Sequence, residues 1–304
     1  MKKLLIVTDL DASLIDKNYQ FTEALEALEK IKNLGFFLVL NSSKTLAELE
    51  SIAKELKLNT PLIAENGGIV AVPHGSQLSA FCKPSKQQAW EHRTDYKTLT
   101  TGLSREYILE QAHTARARHG YAFEGFNDWS VSELSEKTGL NHTDALMAVQ
   151  RHVSEPILWH DSETQWEKFS TQLEAKGIRT LRGGKFIHLM GRADKADGFM
   201  ITRELYKAQF PISPWTTVAV GDSANDQSML ESADIAIVIP HSDGFKIEVK
   251  APQVIHAKHP SSRGWNDALI TLIHKLNHYH HLSPWEIFIN SASSQLFINS
   301  TKDH

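Results

Sequence analysis

Asp9 and Asp11 stand at positions i and i+2 directly after an apolar run at residues 4–7. On an extended backbone that spacing points both carboxylates to the same side. Two like charges so close repel, so the pair calls for a cation or a shared proton. Alone, it also fits an exposed turn, since Asp is common where strands stop. Three more strand and helix junctions carry matching residues. Ser42 follows the apolar run 36–40, Lys195 opens a helical stretch, and Asp222, Asn225 and Asp226 follow the β-branched run 217–220. Small hydroxyls at a helix start suit an anion, or simply cap the helix. In a parallel sheet such junctions fall on one edge, where open α/β sheets take their ligands. Carboxylates, a lysine and a hydroxyl gathered there suit Mg²⁺, which takes hard oxygen ligands, together with a phosphoryl group.

The elements that must hold these residues read as α/β. Residues 4–7 form a buried strand. Leu25, Leu28, Ile31 and Leu34 repeat at helical spacing within 22–34, with Thr22 as the expected cap and Gly35 as the stop. The run 36–40 then closes a βαβ unit with parallel strands. Thr45 opens a second helix, and 61–64 a third strand. Glu65-Asn66-Gly67-Gly68, ahead of the run 69–72, signals a hairpin. Beyond residue 83 the chain is more polar, with helical spacing at 104–118 and 141–151, a strand at 156–159 and a helix at 166–176. A hairpin at 179–190 follows, turning at Gly183-Gly184. The α/β alternation resumes with a helix at 195–210, strands at 217–220 and 235–239, and a final helix at 265–279. These readings predict a discontinuous core of residues 1–83 and 191–275, an inserted α+β domain at 84–190 and a C-terminal extension at 276–304. The extension is too apolar after Pro284 to be solvated, and is expected to pack on the body or a partner subunit.

With 304 residues there is chain enough for two domains. A net charge of −4 gives no support to nucleic-acid binding. The single cysteine, Cys82, excludes an intrachain disulfide and suits a reducing compartment. No stretch approaches the ~20 apolar residues of a membrane span. The expectation is a cytoplasmic protein, monomer or homodimer, whose partner is a small anionic substrate rather than a membrane or a nucleic acid.

Taken together, Asp9-Leu10-Asp11, Ser42, Lys195 and Gly221-Asp222-Ser223-Ala224-Asn225-Asp226 resemble the four motifs of the haloacid dehalogenase superfamily of phosphatases. Within it, Ser42-Ser43-Lys44-Thr45, Glu65-Asn66-Gly67-Gly68, Arg182-Gly183-Gly184-Lys185-Phe186-Ile187-His188 and Gly264-Trp265-Asn266 resemble the mannosyl-3-phosphoglycerate phosphatases. The resemblance implies a Rossmann-like three-layer core with a C2-type cap over residues 84–190 that closes on the substrate. It implies Asp9 as nucleophile forming an aspartyl-phosphate, and Asp11 as the acid and base. Mg²⁺ would lie between Asp9, the Asp11 backbone carbonyl and Asp222. Asn225 and Asp226 would hold the metal's waters or orient Lys195, while Lys195 and Ser42 would stabilise charge on the phosphoryl oxygens. Ser43, Lys44, Arg182, Lys185 and His188 become candidate substrate contacts, the cap residues facing the carboxylate of glycerate unless they are ordinary exposed hairpin charges.

Two departures accompany the resemblance. Asp11 is followed by Ala12-Ser13 where the superfamily has Gly-Thr, and Ala takes φ > 0 only at a cost, so the local turn is expected to differ. Ala196 follows Lys195, a milder change. The same junction residues would also serve another sugar-phosphate phosphatase, a phosphohexose mutase or a regulator that binds a phosphosugar without turning it over.

Overall fold

A computed structural model of the chain describes residues 3–84, 89–182 and 185–280, with side chains as far as Leu276. The first strand, β1 (Lys3–Thr8), sets the layers. Leu4 and Ile6 face one side and Leu5 and Val7 the other, all of them buried, as a strand covered on both faces requires.

The chain continues through α1 (Leu25–Asn33), β2 (Phe37–Asn41), α2 (Leu46–Glu55), β3 (Leu62–Ala64) and β4 (Ile69–Pro73). Two short strands, β5 (Trp90–His92) and β6 (Tyr96–Thr100), follow. After the cap come α7 (Lys195–Gln209), β11 (Trp215–Gly221), α8 (Gln227–Glu231), β12 (Ile235–Val238), β13 (Gln253–His256) and α9 (Ser261–His280). These strands form one sheet in the order β13-β12-β11-β1-β2-β3-β4-β6-β5. The run from β13 to β3 is parallel, and β4, β6 and β5 add an antiparallel edge. Leu4 and Ile6 pack with Trp265 and Leu269 of α9 and with α1 and α2. Leu5 and Val7 pack with Phe199 and Tyr206 of α7 and with α8. The outcome is the expected three-layer α/β core.

The cap comprises α3 (Arg105–His119), β7 (Phe123–Gly125), α4 (Val131–Thr138), α5 (His142–Ala148), β8 (Ser154–Trp159), α6 (Glu163–Glu174), β9 (Arg179–Arg182) and β10 (Ile187–Met190). Its antiparallel sheet runs β7-β8-β10-β9. One face, with Phe123, Ile157, Ile187 and Leu189, packs on Phe169 and Leu173 of α6 and Ile108 of α3. Phe186 and Leu158 join a second cluster with Phe126, Leu134 and Ala145.

Three expectations need correction. The boundary predicted at residue 84 falls inside the larger sheet, because β6 pairs with β4 and β5 pairs with β6. These strands read as polar in sequence because few of their residues are covered: Trp90, Thr98 and Leu99 are buried, while residues 91–95 and Thr100 are exposed. The helix predicted to start at a Thr22 cap instead opens with a short 3₁₀ turn, Thr22–Ala24, and carries no side-chain cap. The Ala27 N–H donates to Asn266 Oδ1 at 2.9 Å, so a distant helix satisfies what a local cap would have. Residues 276–280 continue α9, and the remainder of the predicted extension lies outside the described residues. Among the described residues, no helix is long and apolar enough to cross a membrane.

Candidate active site

Asp9 leaves β1 with its N–H donating to the Val220 carbonyl at 2.9 Å, which keeps the residue in register with β11. Asp222 follows β11, so the two carboxylates issue from neighbouring parallel strands. Lys195 is the first residue of α7, whose start is fixed by an Asp194 cap and a reciprocal bond from Asp197. Its side chain is wholly buried, and Nζ lies 2.6 Å from Asp9 Oδ1 and 2.6 Å from Asp226 Oδ1. Asp226 spends its other oxygen on the N–H groups of Asp222 (3.0 Å) and Ser223 (3.1 Å). That leaves Asp226 tying the loop and orienting the lysine, one of the two roles expected of it.

Carboxylate oxygens of Asp9, Asp222 and Asp226 all lie within 4.8 Å of one another, and all three residues are buried. One lysine cannot neutralise three carboxylates, so burial falls hard on the acids. Burial pushes Asp9 well above the ordinary carboxylate range, against the pull of Lys195. Burial, then the charge of Asp226, pushes Asp222 up to about 7, with Lys195 opposing. Burial alone would lower the Lys195 pKa, but Asp226 and Asp9 carry it upward, so the lysine is charged. An all-oxygen donor set in want of positive charge can hold a hard divalent cation. Asp9 and Asp222 have carboxylate oxygens to offer it.

In the turn beyond Asp9, Ala12 takes φ +58°, so alanine adopts the left-handed conformation usually left to glycine. Ser13 Oγ donates to Asp222 Oδ1 at 3.3 Å. Asp11 does not join the acidic group through its carboxylate. It pairs with Lys44 Nζ at 3.1 Å and is partly exposed toward the cap side, where Lys44 also lies over the Tyr19 ring. Burial would lower the Lys44 pKa, but Asp11 and Glu48 raise it overall.

Ser42 is buried at the same sheet edge, two residues beyond Leu40, the register partner of Thr8. Its Oγ accepts from the Lys44 N–H at 3.3 Å. The Ser43 carbonyl accepts from Arg151 at 3.2 Å. Asn225 donates to Asn66 Oδ1 at 3.1 Å and accepts from Ser223, so it braces the Glu65–Gly67 turn rather than Lys195. Gly67 has φ +90°, and a Cβ there would lie 1.8 Å from the Asp194 carbonyl. Only glycine lets this turn approach the start of the Lys195 helix.

The predicted basic patch of the cap is not assembled. Arg182 pairs with Ile187 in the β9–β10 ladder and points to the helix side, where it meets Glu163 at 2.7 Å and lies over Trp166. Lys185 donates to the Lys137 carbonyl within the cap. His188 points to the opposite face, but burial, then Arg151, pushes its pKa down to about 3, so the ring is neutral. Two functional candidates escaped the sequence. His241 Nε2 lies 2.6 Å from Asp222 Oδ2, in the loop after β12, and the junction reasoning applied to the other strands would have found it. Glu65, read only as part of a hairpin, accepts from the His152 and Val153 N–H groups and from Ser154 Oγ at 2.8, 3.1 and 2.6 Å.

Comparison with known proteins agrees with this geometry. The family of haloacid dehalogenase-like hydrolases matches residues 6–243. The chain belongs to that family. A Persephonella marina protein named glucosyl-3-phosphoglycerate/mannosyl-3-phosphoglycerate phosphatase is 32% identical over 90% of this chain and 98% of its own. A Methanococcoides burtonii protein of the same name is 32% identical over 90% of this chain and 99% of its own. The fold is shared with a Thermoplasma acidophilum protein at TM-score 0.60 and 18% identity, covering 88% of this chain and 96% of that one. It is shared also with a haloacid dehalogenase-like hydrolase from Bacteroides thetaiotaomicron at TM-score 0.58 and 16% identity, covering 91% and 100%.

Proposed function

We propose that the protein is a Mg²⁺-dependent phosphatase that removes phosphate from a glycosyl-3-phosphoglycerate, mannosyl or glucosyl. The observation that carries this reading is the end-to-end likeness to two phosphatases named for those substrates, in a chain whose own acidic group is complete.

Asp9 presents one carboxylate oxygen to Lys195 and keeps the other for attack on phosphorus. The new O–P bond forms an aspartyl-phosphate while the bond to the sugar-glycerate oxygen breaks. Asp11, outside the buried group, would in its protonated form give its proton to that departing oxygen and then regain one from the water that cleaves the acyl phosphate. Before that, its ion pair with Lys44 must loosen or be shared with substrate. Lys195 counters charge developing on the transferring phosphoryl oxygens, and Asp226 keeps it aimed. Ser42 adds a hydroxyl from the adjoining strand. Asp9 and Asp222, with the Asp11 carbonyl that the family pattern implies, would hold Mg²⁺, which would supply the neutralisation between an anionic nucleophile and an anionic substrate.

A phosphate-release screen over sugar phosphates and glycosyl-3-phosphoglycerates, with Mg²⁺ and with chelator, tests the reading. Fastest turnover on a glycosyl-3-phosphoglycerate, lost with chelator, is the expected result. A preference for a substrate without a carboxylate would overturn it.

A further inference from the structure

Arg151 lies in the stretch between α5 and β8 and is 9% exposed. Nη1 donates to the Ser43 carbonyl at 3.2 Å and to Ser154 Oγ at 2.9 Å, and the guanidinium carbon lies 5.5 Å from the centre of the Phe126 ring. Its Nε is buried without a partner. Among the described residues, no carboxylate lies within 4.0 Å of its side-chain nitrogens, although Glu65 shares the Ser154 hydroxyl and Glu155 lies near enough to feel its charge. A buried guanidinium with donors unspent is costly unless something anionic completes it. His188 supplies the second unspent group: its Nδ1 is also buried without a partner. It stands on the face of β10 turned away from α3 and α6, the face that Leu181 shares across the ladder.

We infer that Arg151 and His188 form the subsite that reads the carboxylate of the substrate, the guanidinium as its charged partner and the imidazole as a neutral donor. This rests on the proposed activity and names the residues that give it selectivity. The location fits a glycerate skeleton. Arg151 is anchored to Ser43, one residue from Ser42 at the phosphate edge, so a carboxylate a short carbon chain from the phosphorus comes within its reach. The guanidinium fork suits a carboxylate better than a hydroxyl, which gives selectivity against ordinary sugar phosphates. Neutrality of His188 fits the role, since a second buried cation beside Arg151 would be repelled. Of the three cap residues the sequence favoured for this work, Arg182 and Lys185 are engaged elsewhere in the cap, and His188 alone is left.

The test is the ratio of kcat/KM for mannosyl- or glucosyl-3-phosphoglycerate over that for a carboxylate-free sugar phosphate, measured on the full chain with Mg²⁺. Arg151→Gln is expected to lower this ratio ~30-fold or more, mainly through KM, because a charged hydrogen-bonded partner is lost. Arg151→Lys should recover part of it. His188→Leu is expected to lower the ratio about tenfold, and His188→Asn, which keeps a donor near the Nδ1 position, should restore most of it. Equal losses on both substrates, or an unchanged ratio, would overturn the assignment. If Arg151→Gln fails to fold, the His188 pair decides. A wild-type ratio near one would instead bring down the proposed activity, and the assignment with it.

Discussion

At the edge of the larger sheet, Asp9 follows β1, Asp222 and Asp226 follow β11, Lys195 opens α7, and all four turn inward onto one another. In the cap sheet, Arg182 and Lys185 share one hairpin and turn outward, one to Glu163 and the other to the Lys137 carbonyl. The difference lies in how each sheet disposes its residues. Parallel strands end on a common edge, so polar residues at their ends converge whatever the sequence between them. Along an antiparallel strand, neighbouring residues face opposite sides, so a one-residue shift separates Leu181 on one face from Arg182 on the other. Convergence is therefore built into the core and must be established residue by residue in the cap.

Asp9→Asn offers the largest expected break. It should cut Mg²⁺-dependent phosphate release by roughly 10⁴-fold or more, with circular dichroism unchanged. Turnover near wild type would remove the nucleophile from the convergent edge. Next is Glu65→Ala, which strips the acceptor from two N–H groups and a hydroxyl where the two sheets meet. A loss of about 3 kcal/mol is expected, read by urea unfolding, since buried donors lose a charged acceptor. A change within error would mean that the cap needs no such tether.

The raised pKa of Asp222 sets a pH dependence. Its native pKa, about 7, lies above its unfolded value, so without metal the protonated acid favours the native state. That contribution is complete below the ordinary carboxylate pKa of ~3.9 and is lost as the pH rises through about 7. A cation must displace the same proton. Mg²⁺ affinity measured by calorimetry should therefore rise by up to ~10-fold per pH unit as the pH climbs toward about 7 and level off above it. Affinity flat from acid to neutral pH would place the metal elsewhere.

Two smaller effects sharpen the contrast. Ala12→Gly relieves the left-handed alanine beside the site and should be stabilising by ~0.5–1 kcal/mol, seen as a higher melting temperature. Arg182→Ala breaks an exposed pair with Glu163 and a contact over Trp166, so stability should change by no more than ~1 kcal/mol and kcat/KM by no more than about twofold. A large loss of activity in that variant would return the hairpin to the substrate.

What the sequence revealed follows the same division. Asp9 and Asp222 were legible because they sit where apolar runs stop, and Lys195 because it opens a helical stretch. Ser42 was legible for the same reason, although its Oγ is spent on the loop backbone. His241 obeys the rule too, but it follows Pro240 and resembles a plain turn. Arg151 carries no such mark. It belongs to a connecting stretch, and only the approach of Ser43 and Phe126 gives it meaning. The strands β5 and β6 were hidden because few of their residues are buried, and their exposed positions carry the polar residues that signal loops.

The Glu65–Gly67 turn also acts as a bearing. Thr101, in the first link to the cap, donates through Oγ1 to the Gly67 carbonyl, while Asp194, in the second link, lies hard against Gly67. Val153, from the middle of the cap, is plugged into the hydrophobic cluster of the core. Three passages of chain thus meet on one small pivot, and the same pivot bonds through Asn66 to Asn225 beside the acidic group. Any rotation of the cap about this turn would therefore bear on the loop that carries Asn225 and on the first turn of the Lys195 helix.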